Sequence, residues 1–198
     1  MQHIGALLLS LAAAAAAVPA GNLPRAASAS NSAPFQIYAY GEGIGGLPLF
    51  SAGSDAFLGD YAKFNDPNAA PVTFTPTNNA WQGAPNTTAL NYTAAPNWSN
   101  LTFSIPTDDA SDHSVAFLGS NSTASGRRTS GFLTYGNVIF VSGGSGNMES
   151  MWYATPSSVD GIYSLKWNAT GDSSEDKIIL ALKKTIPSTA LFPAFQQV

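Results

Sequence analysis

The chain has 198 residues, of which 10% are charged, with a net charge of −4 and no cysteine. That balance excludes a basic surface for nucleic acid or anionic lipid and excludes every small secreted scaffold framed by disulfides. The length beyond the first few dozen residues predicts one domain with a real hydrophobic core, held by packing and sheet hydrogen bonds alone.

In chain order, residues 1–20 read as a cleaved signal peptide. His3 stands where a basic n-region is usual, and Ile4 to Val18 is an alanine-rich apolar run too short to span a bilayer. Val18-Pro19-Ala20 offers small residues for cleavage after Ala20. Residues 21–34, rich in Ala, Ser and Asn, read as a flexible leader. Residues 35–198 form the predicted domain, soluble and extracellular, with no second run long enough to insert in a membrane.

That domain opens on Phe35 to Phe50, which holds Gly41-x-Gly43-x-x-Gly46 after a strand-like run. The spacing matches a dinucleotide fingerprint. However, Pro48 and the turn Ser51 to Asp55 follow where a phosphate site needs a helix N-terminus. The glycines are expected to serve backbone turning instead, and no cofactor is expected.

Short apolar alternations fill the rest. Leu47–Phe50 and Ala56–Leu58 flank a turn. Val72 and Phe74 alternate with threonines, and Leu101, Phe103 and Ile105 with polar residues. Phe132–Tyr135, Gly136-Asn137 and Val138–Val141 form the clearest hairpin, with both turn residues expected at positive φ. Asp160-Gly161 separates Met151–Ala154 from Ile162–Trp167, and Ile178–Leu182 is the last strand. The pattern predicts an all-β, single-domain antiparallel β-sandwich or β-barrel of about eleven strands. Ala56-Phe-Leu-Gly59 and Ala116-Phe-Leu-Gly119 echo each other, as in a pseudo-repeat.

Six sequons are candidate acceptors for N-glycans, Asn86, Asn91, Asn97, Asn100, Asn121 and Asn168, and some are expected to stay empty, with Asn97 and Asn100 competing. Use of a sequon requires exposure. Strand alternation sends Asn100 outward opposite Leu101, and Asn168 outward with Lys166 and Ser164.

Few residues suit catalysis. His113 is the one histidine beyond the leader, and Ser145, in Gly143-Gly-Ser-Gly-Asn147, lacks the last glycine of a nucleophile elbow. Asp108, Asp109, Asp112 and His113 could hold a divalent cation, but a polar turn explains them and no metal is expected. Glu42 and Glu149 are candidates for a glycosidase pair, with Trp152 as a sugar platform. Trp98, inside a sequon, is the tryptophan expected to be exposed, and with Trp152 it could bind carbohydrate. Arg127-Arg128 reads as a solvated dibasic turn.

Ile37-Tyr-Ala-Tyr-Gly-Glu-Gly-Ile-Gly-Gly-Leu-Pro-Leu-Phe50 and Met151-Trp-Tyr-Ala-Thr-Pro156, with Asp160-Gly-Ile-Tyr-Ser-Leu-Lys-Trp-Asn168, resemble a family of small secreted proteins of filamentous ascomycetes. Some of its members are labelled hypersensitive-response-inducing. The resemblance spans Phe35 to about Leu182 and implies an extracellular β-protein that provokes defence or cell death in plants. It supplies no catalytic residues. The expectation is therefore a secreted, glycosylated effector or elicitor, monomeric and not an enzyme, in the host apoplast or fungal cell wall. Its partner is a plant surface receptor or a wall polysaccharide. The alternatives are a wall carbohydrate-binding protein and a small glycoside hydrolase.

Overall fold

The computed structural model describes residues 33–78, 80–88 and 95–187, and within them the chain is a β-barrel with additional strands. The first hairpin joins β1 (Tyr38–Gly41) to β2 (Ile44–Ser51) through a turn at Glu42-Gly43. The three glycines of the apparent fingerprint each answer a backbone demand. A Cβ on Gly41 would lie 2.5 Å from the Ile179 carbonyl of the neighbouring strand. Gly43 takes φ +69° in the turn, and Gly46 takes φ +96°. Pairing passes from Ala39↔Leu47 to Tyr40↔Gly45, so Gly46 is the extra residue of a β-bulge.

The chain continues through β3 (Ala56–Leu58), a 3-10 turn at Tyr61–Phe64, and the paired strands β4 (Ala70–Thr77) and β5 (Ala80–Pro85). Then come β6 (Leu101–Pro106), β7 (Ala116–Leu118), β8 (Arg127–Arg128), β9 (Phe132–Tyr135), β10 (Val138–Ser142) and β11 (Met148–Glu149). Last are β12 (Tyr153–Pro156), β13 (Tyr163–Lys166) and β14 (Ile178–Lys183).

All named pairings are antiparallel. Six strands close a ring: β1 pairs β2, β2 pairs β3, β3 pairs β13, β13 pairs β12, β12 pairs β14, and β14 returns to β1. From β2 the sheet also runs outward through β4, β5, β6 and β7. Its far end folds back onto the ring through bridges Asp55↔Ala116 and Ser114↔Lys166. Closure removes the edges that an open sheet exposes.

Turn chemistry placed the hairpins as expected at β2–β3, β9–β10, and β12–β13. At Gly136-Asn137 only Gly136 has positive φ, +58°. The glycine alone carries the turn, and Asn137 keeps an ordinary conformation. Arg127-Arg128 is a two-residue strand on β6 rather than a solvated turn. The guanidinium of Arg127 donates to the Ser104 hydroxyl at 2.8 Å and the Ser114 carbonyl at 2.7 Å, and that of Arg128 to the Ser142 carbonyl.

One continuous core fills the interior. Phe74, Trp81, Phe103, Phe117, Phe132, Trp152 and Trp167 are all buried within it, with Trp152 and Trp167 edge-to-face at 4.5 Å between ring centroids. Aromatic pairs in this geometry add to the stabilisation from burial itself. A smaller cluster of Phe50, Ala69 and Ile162 lies under Phe57 and Phe64. No helix among the described residues is long and apolar enough to cross a membrane.

Candidate functional site

The aromatic candidates belong to the core. Trp98 is 7% exposed, which corrects the expectation of an exposed ring. Its indole N–H donates to the Asn68 carbonyl at 2.8 Å, and the Asn97 backbone N–H donates to the Asn68 side-chain oxygen at 3.1 Å. Asn68 thus clamps both residues, turning Asn97 outward and the indole inward over Gly53. Trp152 has no exposed surface, and its N–H donates to the Ile139 carbonyl at 3.2 Å, so it offers no sugar platform. Trp81 and Trp167 are buried as well.

The two glutamates stand apart. Glu42 is exposed in the β1–β2 turn, whereas Glu149 lies on β11 opposite Val141 of β10. From β1 the sheet passes through β14 and β10 to reach β11, three strand spacings or about 14 Å along the sheet. Glycosidase pairs hold their carboxyl groups within about 5–9.5 Å. Ser145 lies at φ +61° in a 3-10 turn between β10 and β11, and the ring contacts of His113 are with Trp167 and Tyr153 instead.

The polar residues that do converge line a cleft of about 590 Å³, among them Asp108, Asp109, Asp112, His113, Lys166 and Asp172. The loop from β6 to β7 supplies the first four. The end of β13 supplies Lys166, and the loop from β13 to β14 supplies Asp172. Asn168 ties the two loops together: its Nδ2 donates to the Asp108 carbonyl at 3.2 Å, and its Oδ1 accepts from Thr170 Oγ1 at 3.1 Å and the Gly171 N–H at 3.2 Å. Asn168 is 7% exposed, contrary to the outward position expected of a used sequon. Strand β13 ends at Lys166, and Asn168 takes φ +69°, so the period-two alternation stops before reaching it.

His113 is anchored by its backbone and its ring. Its carbonyl accepts from the Trp167 N–H at 3.0 Å. Its Nδ1 lies 2.9 Å from the Trp167 carbonyl, which can only accept, so Nδ1 donates, and among the described residues Nε2 has no hydrogen-bond partner. Asp172 Oδ1 accepts from the Ser174 N–H at 2.7 Å and hydroxyl at 2.6 Å, while Oδ2 accepts from the Tyr153 hydroxyl. The Ser174 hydroxyl, then Tyr153, hold the Asp172 carboxyl well below the usual carboxylate range. Burial, followed by the bond to Asp172, pushes the Tyr153 phenol up.

Burial resists ionisation of Asp112, but hydrogen bonds from Ser114 and the charges of Lys166 and Arg127 outweigh it and lower its pKa. The Ser114 N–H reaches Asp112 at 2.9 Å, and Lys166 Nζ donates to the Ser114 hydroxyl at 2.9 Å. The cleft therefore presents fixed anionic acceptors, one ammonium and an imidazole edge. Among the described residues, no group of three or more His, Cys, Asp or Glu side chains is placed to hold a metal ion.

No family model matches this chain, and no curated protein or solved structure matches it. The site accordingly rests on its own geometry. Asp108, Asp109, Asp112 and His113 stood together in the sequence; Tyr153, Lys166 and Asp172 did not join them there. One signal was present: Asp112-x-Ser114 and Asp172-x-Ser174 share the spacing by which an Asp side chain accepts from the backbone two residues on.

Of the sequons, Asn97, Asn100 and Asn121 are exposed and Asn86 is half-buried. Asn91 lies outside the described residues.

Proposed function

We propose that the protein is a secreted effector of the elicitor type, recognised by a plant from the apoplast, and that the acidic cleft is its recognition surface. The supporting observation is the anchoring of Asp112 and Asp172 by Ser114, Ser174 and Tyr153, which keeps both carboxylates ionised in acidic extracellular fluid. A charge that persists there can steer and orient a cationic receptor surface. The apolar run Ile4 to Val18 and the resemblance of Ile37–Phe50 and Met151–Asn168 to secreted ascomycete elicitors support the same reading.

The test is infiltration of leaf tissue with the folded chain from Gly21, a heat-unfolded control, and an Asp109→Lys/Asp112→Lys variant. Both aspartates are exposed, so this variant keeps the core intact. Tissue death or an oxidative burst from the folded chain, with at least a tenfold higher dose needed for the variant, is the expected outcome. Silence of the folded chain across several plant species overturns the reading.

Wall-polysaccharide binding is the second reading, favoured by the fixed carboxylates and serine hydroxyls that suit sugar hydroxyl groups. Depletion of the protein by insoluble glucan or chitin, lost in the same cleft variant, would support it. Trp98→Ala would not report on such binding, because it removes a core side chain.

A further inference from the structure

A second cavity, of about 420 Å³, lies across the β4 face of the molecule and is lined by Phe35, Gln36, Tyr38, Thr73, Asn86 and Lys184, among others. Phe35 is an aromatic lining residue, backed by the core: it stacks on the buried Phe74 at 5.7 Å between centroids and meets the buried Trp81 edge-on at 5.0 Å. Its walls carry polar groups on flexible ends. Lys184 Nζ lies 5.0 Å from the centre of the Phe35 ring, and the Tyr38 hydroxyl donates to Gln36 Oε1 at 3.1 Å. Aromatic lining by Phe35 and Tyr38 with a few polar groups is the composition of a small-ligand site.

Asn86 belongs to this cavity and to a sequon. Its backbone N–H donates to the Pro71 carbonyl at 2.8 Å, which fixes the residue on the end of the β4–β5 ladder. Its Oδ1 accepts from the Thr88 N–H at 3.2 Å and from the Thr88 hydroxyl. Both bonds hold the amide by its oxygen, and among the described residues Nδ2 donates to none. Asn168 presents the opposite arrangement, with Nδ2 engaged and the side chain buried.

The geometry points to Asn86 as an N-glycosylated residue whose first sugar, an N-acetylglucosamine, is seated in this cavity. In the transfer, the Nδ2–C1 bond forms as the C1–O bond of a lipid-pyrophosphate-linked oligosaccharide breaks. The pyrophosphate leaves with the electron pair, and the amide loses one proton. The seated sugar moves the Lys184 ammonium off the Phe35 ring, lays its C–H face there and keeps its acetamide and hydroxyl groups beside Gln36, Thr73 and Lys184. This inference rests on the secretion part of the proposed function, since the donor is met only on the export route.

The test expresses the full chain in a secreting eukaryotic host, once with residues 1–20 and once with a known export signal in their place. Glycopeptides are mapped after chymotrypsin, because no Lys or Arg divides residues 64–126. Asn86 is expected to carry a glycan. Asn86→Gln should lower Tm by about 2–4 °C, while Asn121→Gln leaves it unchanged. Trimming the glycan to one sugar should preserve Tm, and in a Phe35→Leu background Asn86→Gln should cost nothing further. An empty Asn86 beside an occupied Asn97 or Asn121 overturns the site. An occupied Asn86 with no Tm difference, or a Tm lost on trimming, overturns the seat. Glycosylation with the known signal but not with residues 1–20 overturns only the secretion reading.

Discussion

Ser51 and Ser104 occupy matching positions in two hairpins of the same register. Ser51 faces Ala56 as Ser104 faces Ala116, Phe50 faces Phe57 as Phe103 faces Phe117, and Leu49 faces Leu58 as Thr102 faces Leu118. Both serines are fully buried. The sequence echo Ala-Phe-Leu-Gly thus extends to a Phe-Ser pair on each preceding strand. The two copies also touch, because the Ala56 N–H donates to the Val115 carbonyl at 3.0 Å and the Phe117 N–H to the Ser54 carbonyl at 2.6 Å.

The matching serines should not be equally costly to lose. Ser51 Oγ donates to the Asp55 carbonyl at 2.8 Å and accepts from the Gly53 N–H at 3.0 Å. Ser104 Oγ donates to the Ala116 carbonyl at 2.9 Å and accepts from the half-buried guanidinium of Arg127 at 2.8 Å. An unsatisfied buried polar group costs about 1–3 kcal/mol, and more when it is charged. Urea unfolding should show Ser104→Ala as the more destabilised of the two variants.

Asn168 should be empty of glycan and sensitive to substitution. Asn168→Ala removes the amide that joins Asp108 to Gly171 and should cost about 1–3 kcal/mol. Asn121→Ala, at an exposed position, should be near neutral. Chemical denaturation of both variants, with mass spectrometry of the Asn168 peptide from a secreting host, checks the pair of expectations.

Stability should fall at both ends of the pH range, at the acid end through the Ser174 and Tyr153 bonds to Asp172 and at the alkaline end through the burial of Tyr153 and its bond to Asp172. The folded pKa of Asp172 is depressed, so its contribution is present above the unfolded value of about 3.9 and is lost as pH falls towards the folded value. The folded pKa of Tyr153 is raised, so its contribution is present below the unfolded value of about 10 and is lost as pH rises above it. Tyr153→Phe removes a donor to Asp172 and should move the acid unfolding midpoint upward while flattening the alkaline arm. Thermal melts from pH 2 to 11 read both changes.

The glycines of the first hairpin should rank by what surrounds them. Gly41→Ala drives a methyl into the Ile179 carbonyl, and Gly46→Ala meets Pro187 at 2.6 Å while holding φ +96°. Gly43 has φ +69° but open space around it. Gly43→Ala should therefore cost about 1 kcal/mol for backbone conformation alone. The other two should cost more, about 1–3 kcal/mol or beyond. Nucleotides should shift the Tm of none of them; a shift in the parent chain would revive the fingerprint reading.

Hairpins were legible because their information is local. Gly136, Gly161 and Ser51 to Asp55 announce turns within a few residues, and alternation identified the inward faces of β6 and β13. The cleft was not legible, since Asn168 reaches Asp108 across 60 positions and Tyr153 meets Asp172 only after β12 and the loop following β13 are brought together. Trp98 misled for the same reason. Its polar neighbours suggest the surface, whereas its partner Asn68 is 30 residues away. Barrel closure was also beyond local pattern, because alternation is the same in a sandwich and a ring.

That ring ties the order of synthesis to the order of folding. Tyr40, in the first strand, pairs with Ala181 in the last, so the barrel stays unlatched until nearly the whole chain has been made. A ribosome that stops before Ile178 leaves β1 and β12 as open edges, ready to pair with other chains. Fragments ending there should aggregate where the full chain does not, and the completed barrel carries its first and last strands side by side.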